Sequence, residues 1–305
     1  MSSLRNAALF LGLGLCWGGS FPAIEVTLTQ LDPLLLGAYR FDVGALVALA
    51  YVFWRSDVPI PTSRADLGSV AVGGLLFVVA NIAFLAYGQQ YTTGGVAAIV
   101  YSLNPILTTF FTVALLNEGS LDLRGYVGVV LGVLGVGLVA QPSPENFGAT
   151  TIGVALVFVA AVAVSFGSVA IRWLDPDSDA LPRTAWGMAL GAVVLHLGSI
   201  AIGEPQVAPA ALSPSVVASL LFLGVFSSAV AYAIYFGLLD LLGPFEINLV
   251  SYVVPIVATV LGAILLDEPV TPLTVVGFLV VVAGFALVKR DAIRRELARR
   301  SVGFT

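Results

Sequence analysis

The sequence predicts an all-α integral membrane protein, with ten transmembrane helices arranged as two inverted five-helix repeats. Three observations carry that expectation. Hydrophobic residues make up 59% of the chain and charged residues 10%, whereas a soluble domain carries roughly 25% charge. The apolar residues fall into ten continuous stretches, each near the ~20 residues that cross a hydrocarbon core. A segment of the first half also recurs in the second at an offset of 150 residues. The mean hydropathy is +1.02. Continuous rather than alternating apolar runs exclude a membrane β-barrel.

The stretches of the first half run 6–24, 34–54, 68–88, 95–116 and 124–140. Those of the second run 152–173, 184–202, 215–239, 246–266 and 272–288. The first follows Arg5 in the manner of a secretion signal, but no A-x-A-like cleavage site follows. Leu15 precedes Cys16 where a lipoprotein site needs a small residue, so the stretch reads as a retained helix. The second opens at Asp32-Pro33 and carries Arg40; the third has Asn81 midway. The fourth and ninth each hold a proline near the middle, Pro105 and Pro255. Gly14-x-x-x-Gly18 in the first and Gly128-x-x-x-Gly132 in the fifth permit close helix contact. His196 in the seventh reads as a packing residue rather than a proton relay. Short polar connections such as Gln141–Glu145 and Asp175–Asp179 separate the stretches. They divide the chain into a first repeat at 1–144 and a second, with a basic tail, at 145–305.

Lys and Arg set the orientation. With the N-terminus in the cytoplasm and ten spans threaded, twelve of the thirteen basic residues fall inside and none outside. The thirteenth, Arg40, lies within a span. The tail Arg294-Arg295-Glu296-Leu297-Ala298-Arg299-Arg300 suits topology retention, with lipid headgroups within its reach.

Residues 100–123 laid on 250–273 match at eight of 24 positions, among them Pro105/Pro255 and Glu118/Glu268. Shared hydrophobicity does not explain paired Pro and Glu at one offset. Gly128 and Gly135 echo Gly277 and Gly284, shifted by one residue. Five spans is an odd number, so the second half inserts opposite to the first. A proline within a helix frees the carbonyl four residues earlier, here those of Tyr101 and Ser251. In lipid those carbonyls need partners or a wet cavity. Matched interruptions near the bilayer midplane point to a transporter's binding site.

Composition removes several classes. One cysteine and one histidine leave no disulfide, and no cysteine-rich zinc site or histidine-based triad. A net charge of −5 argues against nucleic acid as a partner. No phosphate-cradling G-x-x-x-x-G-K-[ST] loop occurs, so the chain hydrolyses no ATP and no cofactor is expected. The expected partners are a small-molecule solute and the lipid bilayer; the oligomeric state is not readable.

The chain resembles the EamA-type drug/metabolite transporter superfamily over nearly its full length. The resemblance rests on Trp17-Gly18-Gly19-Ser20-Phe21 and on Asp32-Pro33 through Arg40-Phe41. It continues in Ala97-Ala98 through Asn104-Pro105 to Asn117-Glu118, and in Glu246 through Pro255 to Asp267-Glu268-Pro269. It implies cytoplasmic termini, an inverted repeat and a central cavity that alternates in access. Its substrates are diverse, so the solute stays open.

Candidate substrate-binding residues follow from polarity inside the spans. Arg40 is costly at ~2.5–3.5 kcal/mol on insertion scales and should face the bundle interior with a partner. Asp42 is ~200° round the helix, so Glu25 at the end of the first helix is the better partner. The alternative is a structural pair, or snorkelling to the surface. Tyr101 and Asn104 share a face of the fourth helix, and Asn248, Ser251 and Tyr252 a face of the ninth. Tyr232 and Tyr235 pair on the eighth, and Ser165 and Ser168 on the sixth. Against cavity lining stands interhelical hydrogen bonding, worth ~0.6 kcal/mol each. Trp17 reads as a cavity wall, and Asn81 is open to either reading. Glu118 and Glu268 read as structural, capping the helix that follows each; Glu246 either binds protons or faces water. No catalytic or metal-binding residue is expected. The sequence therefore supports a secondary transporter, an exporter of small organic metabolites such as amino acids, acting at the plasma membrane. A proton-coupled importer and a membrane-embedded enzyme on a lipid-linked substrate are the alternatives.

Overall fold

The computed structural model describes residues 2–118, 122–140, 148–290 and 294, with the side chains of all but 2, 3, 244 and 245. The repeat boundary at 144/145 and Arg295, Arg299 and Arg300 lie outside the described residues. Among the described residues there is no strand. Nine helices among the described residues are long and apolar enough to cross a membrane. They are span 1 (Leu4–Leu28), span 2 (Pro33–Arg55), span 3 (Arg64–Gln89), span 4 (Gly94–Leu116) and span 5 (Leu123–Ala140). Span 6 (Ala149–Leu174), span 7 (Ala180–Ala201), span 8 (Pro214–Leu242) and span 9 (Glu246–Leu265) follow. Span 10 is the shorter apolar helix Pro272–Val288. Each contains or overlaps an apolar stretch read from the sequence.

Successive spans alternate in direction, which gives the bundle a Glu25 end and an Arg172 end. The spans pack through small residues. A Cβ on Gly14 would lie 2.8 Å from Val253 Cγ1, and one on Gly18 2.5 Å from Val257 Cβ, so this face of span 1 seats span 9. Spans 5 and 10 meet backbone to backbone. A Cβ on Gly128 would stand 2.5 Å from the Gly284 carbonyl, and one on Gly135 2.7 Å from that of Gly277.

Several spans are interrupted. Span 1 breaks at Gly19, between helices Ser2–Gly18 and Ser20–Leu28. Spans 3 and 8 each contain a π-helical stretch, Gly73–Ala80 and Phe222–Val230. There the Asn81 amide reaches back to Leu76 O and the Ala231 amide to Phe226 O, one residue further than in an α-helix. The two prolines, matched in sequence, act differently. Span 4 breaks into Gly94–Tyr101 and Asn104–Leu116, with Pro105 in the first turn of the second piece. In span 9 the helix Val250–Leu265 runs through Pro255 unbroken, and the interruption lies earlier, at Leu249.

At the Glu25 end, carboxylates of the second half cap helices of the first. Glu204 accepts the Leu34 and Leu35 amides at 3.1 and 2.9 Å, and the Tyr87 hydroxyl at 3.1 Å. Glu268 accepts the Gly94 and Gly95 amides at 3.0 and 3.3 Å. Glu268 thus caps span 4, not the helix that follows it in sequence. Unpaired N–H groups at a helix start favour an anion, which is why a carboxylate holds each joint. At the Arg172 end Glu118 pairs with Arg172 instead.

Candidate functional site

The polar centre of the bundle assembles around Arg40, seven residues into span 2 from Pro33 and so ~10 Å below the Glu25 end. Span 8 reaches it because Gly224 has no side chain: a Cβ there would lie 2.9 Å from the Arg40 carbonyl. The π-helical stretch that contains this glycine presents Ser227 and Ser228, both fully buried, to the guanidinium. Arg40 Nε donates to Ser228 Oγ at 3.1 Å, and a terminal nitrogen donates to Ser227 Oγ at 3.4 Å. The guanidinium also lies 5.1 Å from the Phe41 ring centroid. Tyr101 and Tyr232 stand within electrostatic reach of it.

Aromatic rings enclose this charge. The Trp17 ring centroid is 5.9 Å from that of Tyr232 and 5.5 Å from that of Tyr235. Phe21 stands edge-on to Tyr101 at 6.0 Å. The Tyr101 hydroxyl donates to Asn81 Oδ1. The Asn81 amide donates to Phe77 O at 3.0 Å, so the side chain is fixed at the end of its π-helical stretch. Trp17, Arg40, Asn81, Tyr101, Tyr232 and Tyr235, chosen from the sequence, therefore come together from five spans.

Other expected residues sit elsewhere. Asn104 accepts from Ser165 Oγ at 3.2 Å, a contact between spans 4 and 6. Ser168 donates to Val164 O at 3.0 Å within its own helix. Tyr252 packs its ring 4.7 Å from that of Phe285 on span 10, and its buried hydroxyl has no hydrogen-bond partner. Asn248 and Ser251 are half-buried on span 9. His196 Nε2 lies 2.8 Å from Asp42 Oδ2, a pair on the flank of spans 7 and 2.

The partner expected for Arg40 is corrected. Glu25 does not approach it; the Glu25 carboxyl contacts Glu268, the Gly94 amide and Gln89. The break at Gly19 separates the end of span 1 from its first part, and that end packs against spans 8, 9 and 4. Among the described residues no carboxylate forms an ion pair with Arg40. The sequence reading missed Ser227 and Ser228, because small hydroxyl side chains serve helix packing in membrane spans as readily as they line a site. Gly224 beside a Ser-Ser pair was the available signal.

A helical membrane bundle with a charge and aromatic rings gathered at its core has the build of a solute transporter. The EamA-like transporter family model matches residues 5–141 and 151–290. The chain belongs to that family, whose members are transporters rather than enzymes. It is therefore a multi-pass membrane transporter with two repeats of five helices. It is 29% identical to an uncharacterized transporter of Archaeoglobus fulgidus, over 94% of this chain and 98% of that one. The uncharacterized inner membrane transporter YedA of Escherichia coli is 27% identical, over 92% of this chain and 89% of its own. A WAT1-related chloroplastic protein of Arabidopsis thaliana is 27% identical, over 89% of this chain and 66% of its own. In fold, the chain matches a crystal structure with a TM-score of 0.66 and 21% identity, covering 96% of this chain and 99% of that one.

Proposed function

We propose that this protein is a secondary transporter that exports a small, carboxylate-bearing metabolite such as an amino acid by alternating access. The observation that carries the reading is Arg40, a guanidinium inside the bundle whose hydrogen bonds go to two neutral hydroxyls. A buried charge without an opposite partner is costly, and an anionic group of the solute would supply that partner. Trp17, Tyr232 and Tyr235 would then pack the apolar part of the solute, with Asn81 and Tyr101 fixing polar groups. Asn104, Ser168, Asn248, Ser251 and Tyr252 belong to the helices that would rearrange around it. The first repeat is taken as 1–144 and the second as 145–305. Twelve basic residues on one side and none on the other support cytoplasmic termini, with the Glu25 end facing out of the cell. The half-buried carboxylate joints that tie the helices at that end support loading from the cytoplasmic side.

Counterflow in proteoliposomes against a panel of amino acids, other carboxylates and neutral analogues tests this. Carboxylate-bearing solutes should exchange, and Arg40→Ala should lower their flux at least about tenfold, ~1.4 kcal/mol, while Arg55→Ala leaves it near wild type. Uptake of neutral analogues alone, or an unaffected Arg40→Ala, would remove the carboxylate assignment. Solute movement that requires an inward proton gradient would favour the importer. Orientation is checked by thiol labelling without Cys16: a cysteine at Asp177 should react only once the membrane is permeabilised.

A further inference from the structure

The Glu25 end holds a second polar cluster that the solute reading does not use. Glu268 follows span 9 and folds back across Gly262, where a Cβ would lie 2.4 Å from Glu268 Oε2. It accepts the Gly94 and Gly95 amides there, which close the start of span 4. The Glu25 carboxyl lies against the same Glu268 carboxyl. Gln89 lies beside Glu25. It is 5% exposed, its Nε2 donates to Phe21 O at 3.0 Å, and its Oε1 is buried with no hydrogen-bond partner. Glu25 and Gln89 line a cavity of 450 Å³ together with Leu28, Thr29, Gln90 and Tyr91. Thr29, Gln90 and Tyr91 are exposed at the ends of their helices, so the cavity is reached from solvent.

The donors and acceptors do not balance. Two carboxyl groups and the Gln89 carbonyl offer five oxygen acceptors. The donors facing them are fewer: the two glycine amides, bound by Glu268 with that of Gly94 also reaching Glu25, and the Gln89 side-chain amide, which is shared between Glu25 and Phe21 O. Two carboxylates in contact repel unless a proton or another cation lies between them. An orphaned acceptor beside them is the mark of a site that takes up a hydrogen-bond donor. Glu268 is the charged group facing Glu25; span 4 contributes only the Gly94 amide, span 3 the Gln89 amide, and Tyr91 is the titratable side chain in the cavity lining.

We propose that Glu25, Glu268 and Gln89 form a proton-binding site that latches spans 1, 4 and 9 together at the Glu25 end. Glu268, held by two amides, is the carboxylate; Glu25 carries the proton and donates it to Glu268. On closing, a hydronium ion arriving through the cavity gives its proton to the Glu25 carboxylate and leaves as water. On opening, Glu25 returns the proton to water, both carboxylates are charged, and they separate. The latch therefore holds at low pH and loosens as pH rises. This site lies apart from the Arg40 centre, and its occupant is a proton whatever the solute proves to be.

Infrared difference spectroscopy of the purified full-length protein across the neutral pH range tests it without any solute, so failure here leaves the carboxylate reading standing. A protonated-carboxyl C=O band should appear in the wild type and fade as pH rises. Amide exchange over residues 94–96 should quicken in parallel. Glu25→Gln, which keeps a donor to Glu268, should lose the band and keep those amides protected at every pH. Absence of the band in the wild type overturns the proposal, as does a band that persists in Glu25→Gln. Sodium protecting the amides at constant pH, with no band, would replace the proton site with a metal-ion site.

Discussion

The ends of spans 4 and 9 carry the same two-residue device in different surroundings. Asn117-Glu118 and Asp267-Glu268 are equivalent under the repeat, and each opens with a residue in the left-handed region, φ 54° at Asn117 and 53° at Asp267. Asn and Asp tolerate that conformation better than most residues. Beyond that turn the two ends diverge. Glu268 lies across Gly262 and is committed to the interior, whereas the position equivalent to Gly262 is Thr112, whose hydroxyl donates to Thr108 O at 2.8 Å. Glu118 stays outside and pairs with Arg172, the two side chains 48% and 60% exposed. The presence of a side chain at one position separates a half-buried joint between helices from a surface ion pair. The partners differ as well: span 1 brings Glu25 to Glu268, while span 6 brings Arg172 to Glu118. One end thus answers to protons and the other to ionic strength.

The largest effect expected from this difference comes from making the two ends alike. Gly262→Thr puts a side chain where Glu268 lies, and should lower thermal stability by ~1–3 kcal/mol and abolish most solute flux. A Gly262→Thr protein that transports and melts like wild type would break the comparison. The reverse change, Thr112→Gly, should cost only about 1 kcal/mol, a few tenths from helix propensity and the rest from lost side-chain packing, read as a small fall in melting temperature with flux retained. Smaller again is Ser165→Ala, which removes the bond to Asn104 and should cost ~0.6 kcal/mol; a much larger loss of flux would instead place Asn104 in the solute path. Comparable or smaller is Arg172→Gln, expected to cost ~0.2–1 kcal/mol. That effect should vanish when melting is repeated in high salt, since exposed pairs are screened.

The spans were legible because lipid imposes long apolar runs and the repeat showed itself in Pro and Glu at one offset. Part of the polar centre was legible too: Arg40, Asn81, Tyr101, Tyr232 and Tyr235 are polar within apolar helices, and they converge in the fold. What escaped depends on local winding and distant contact. Ser227 and Ser228 reach Arg40 from a π-helical stretch whose winding the apolar run around it does not announce. Glu25 meets Glu268 through the break at Gly19 and the left-handed turn at Asp267, neither visible as polarity. Pro105 and Pro255 match in sequence, yet only the first begins a new helix, because the break in span 9 falls at Leu249.

The glycine seam between spans 5 and 10 has a consequence for measuring motion. Each contact there is reciprocal: a Cβ on Gly128 meets the Gly284 carbonyl at 2.5 Å and one on Gly284 meets that of Gly128 at 2.6 Å. The repeat carries Gly128 to Gly277 and Gly135 to Gly284, so the Gly128–Gly284 contact maps onto the Gly277–Gly135 contact, 2.7 Å in both directions. The two-fold axis relating the halves therefore passes through this seam, and points on such an axis stay put while everything else exchanges places. Labels placed across it should report one constant distance throughout the cycle, an internal ruler against which displacement of spans 4 and 9 can be read.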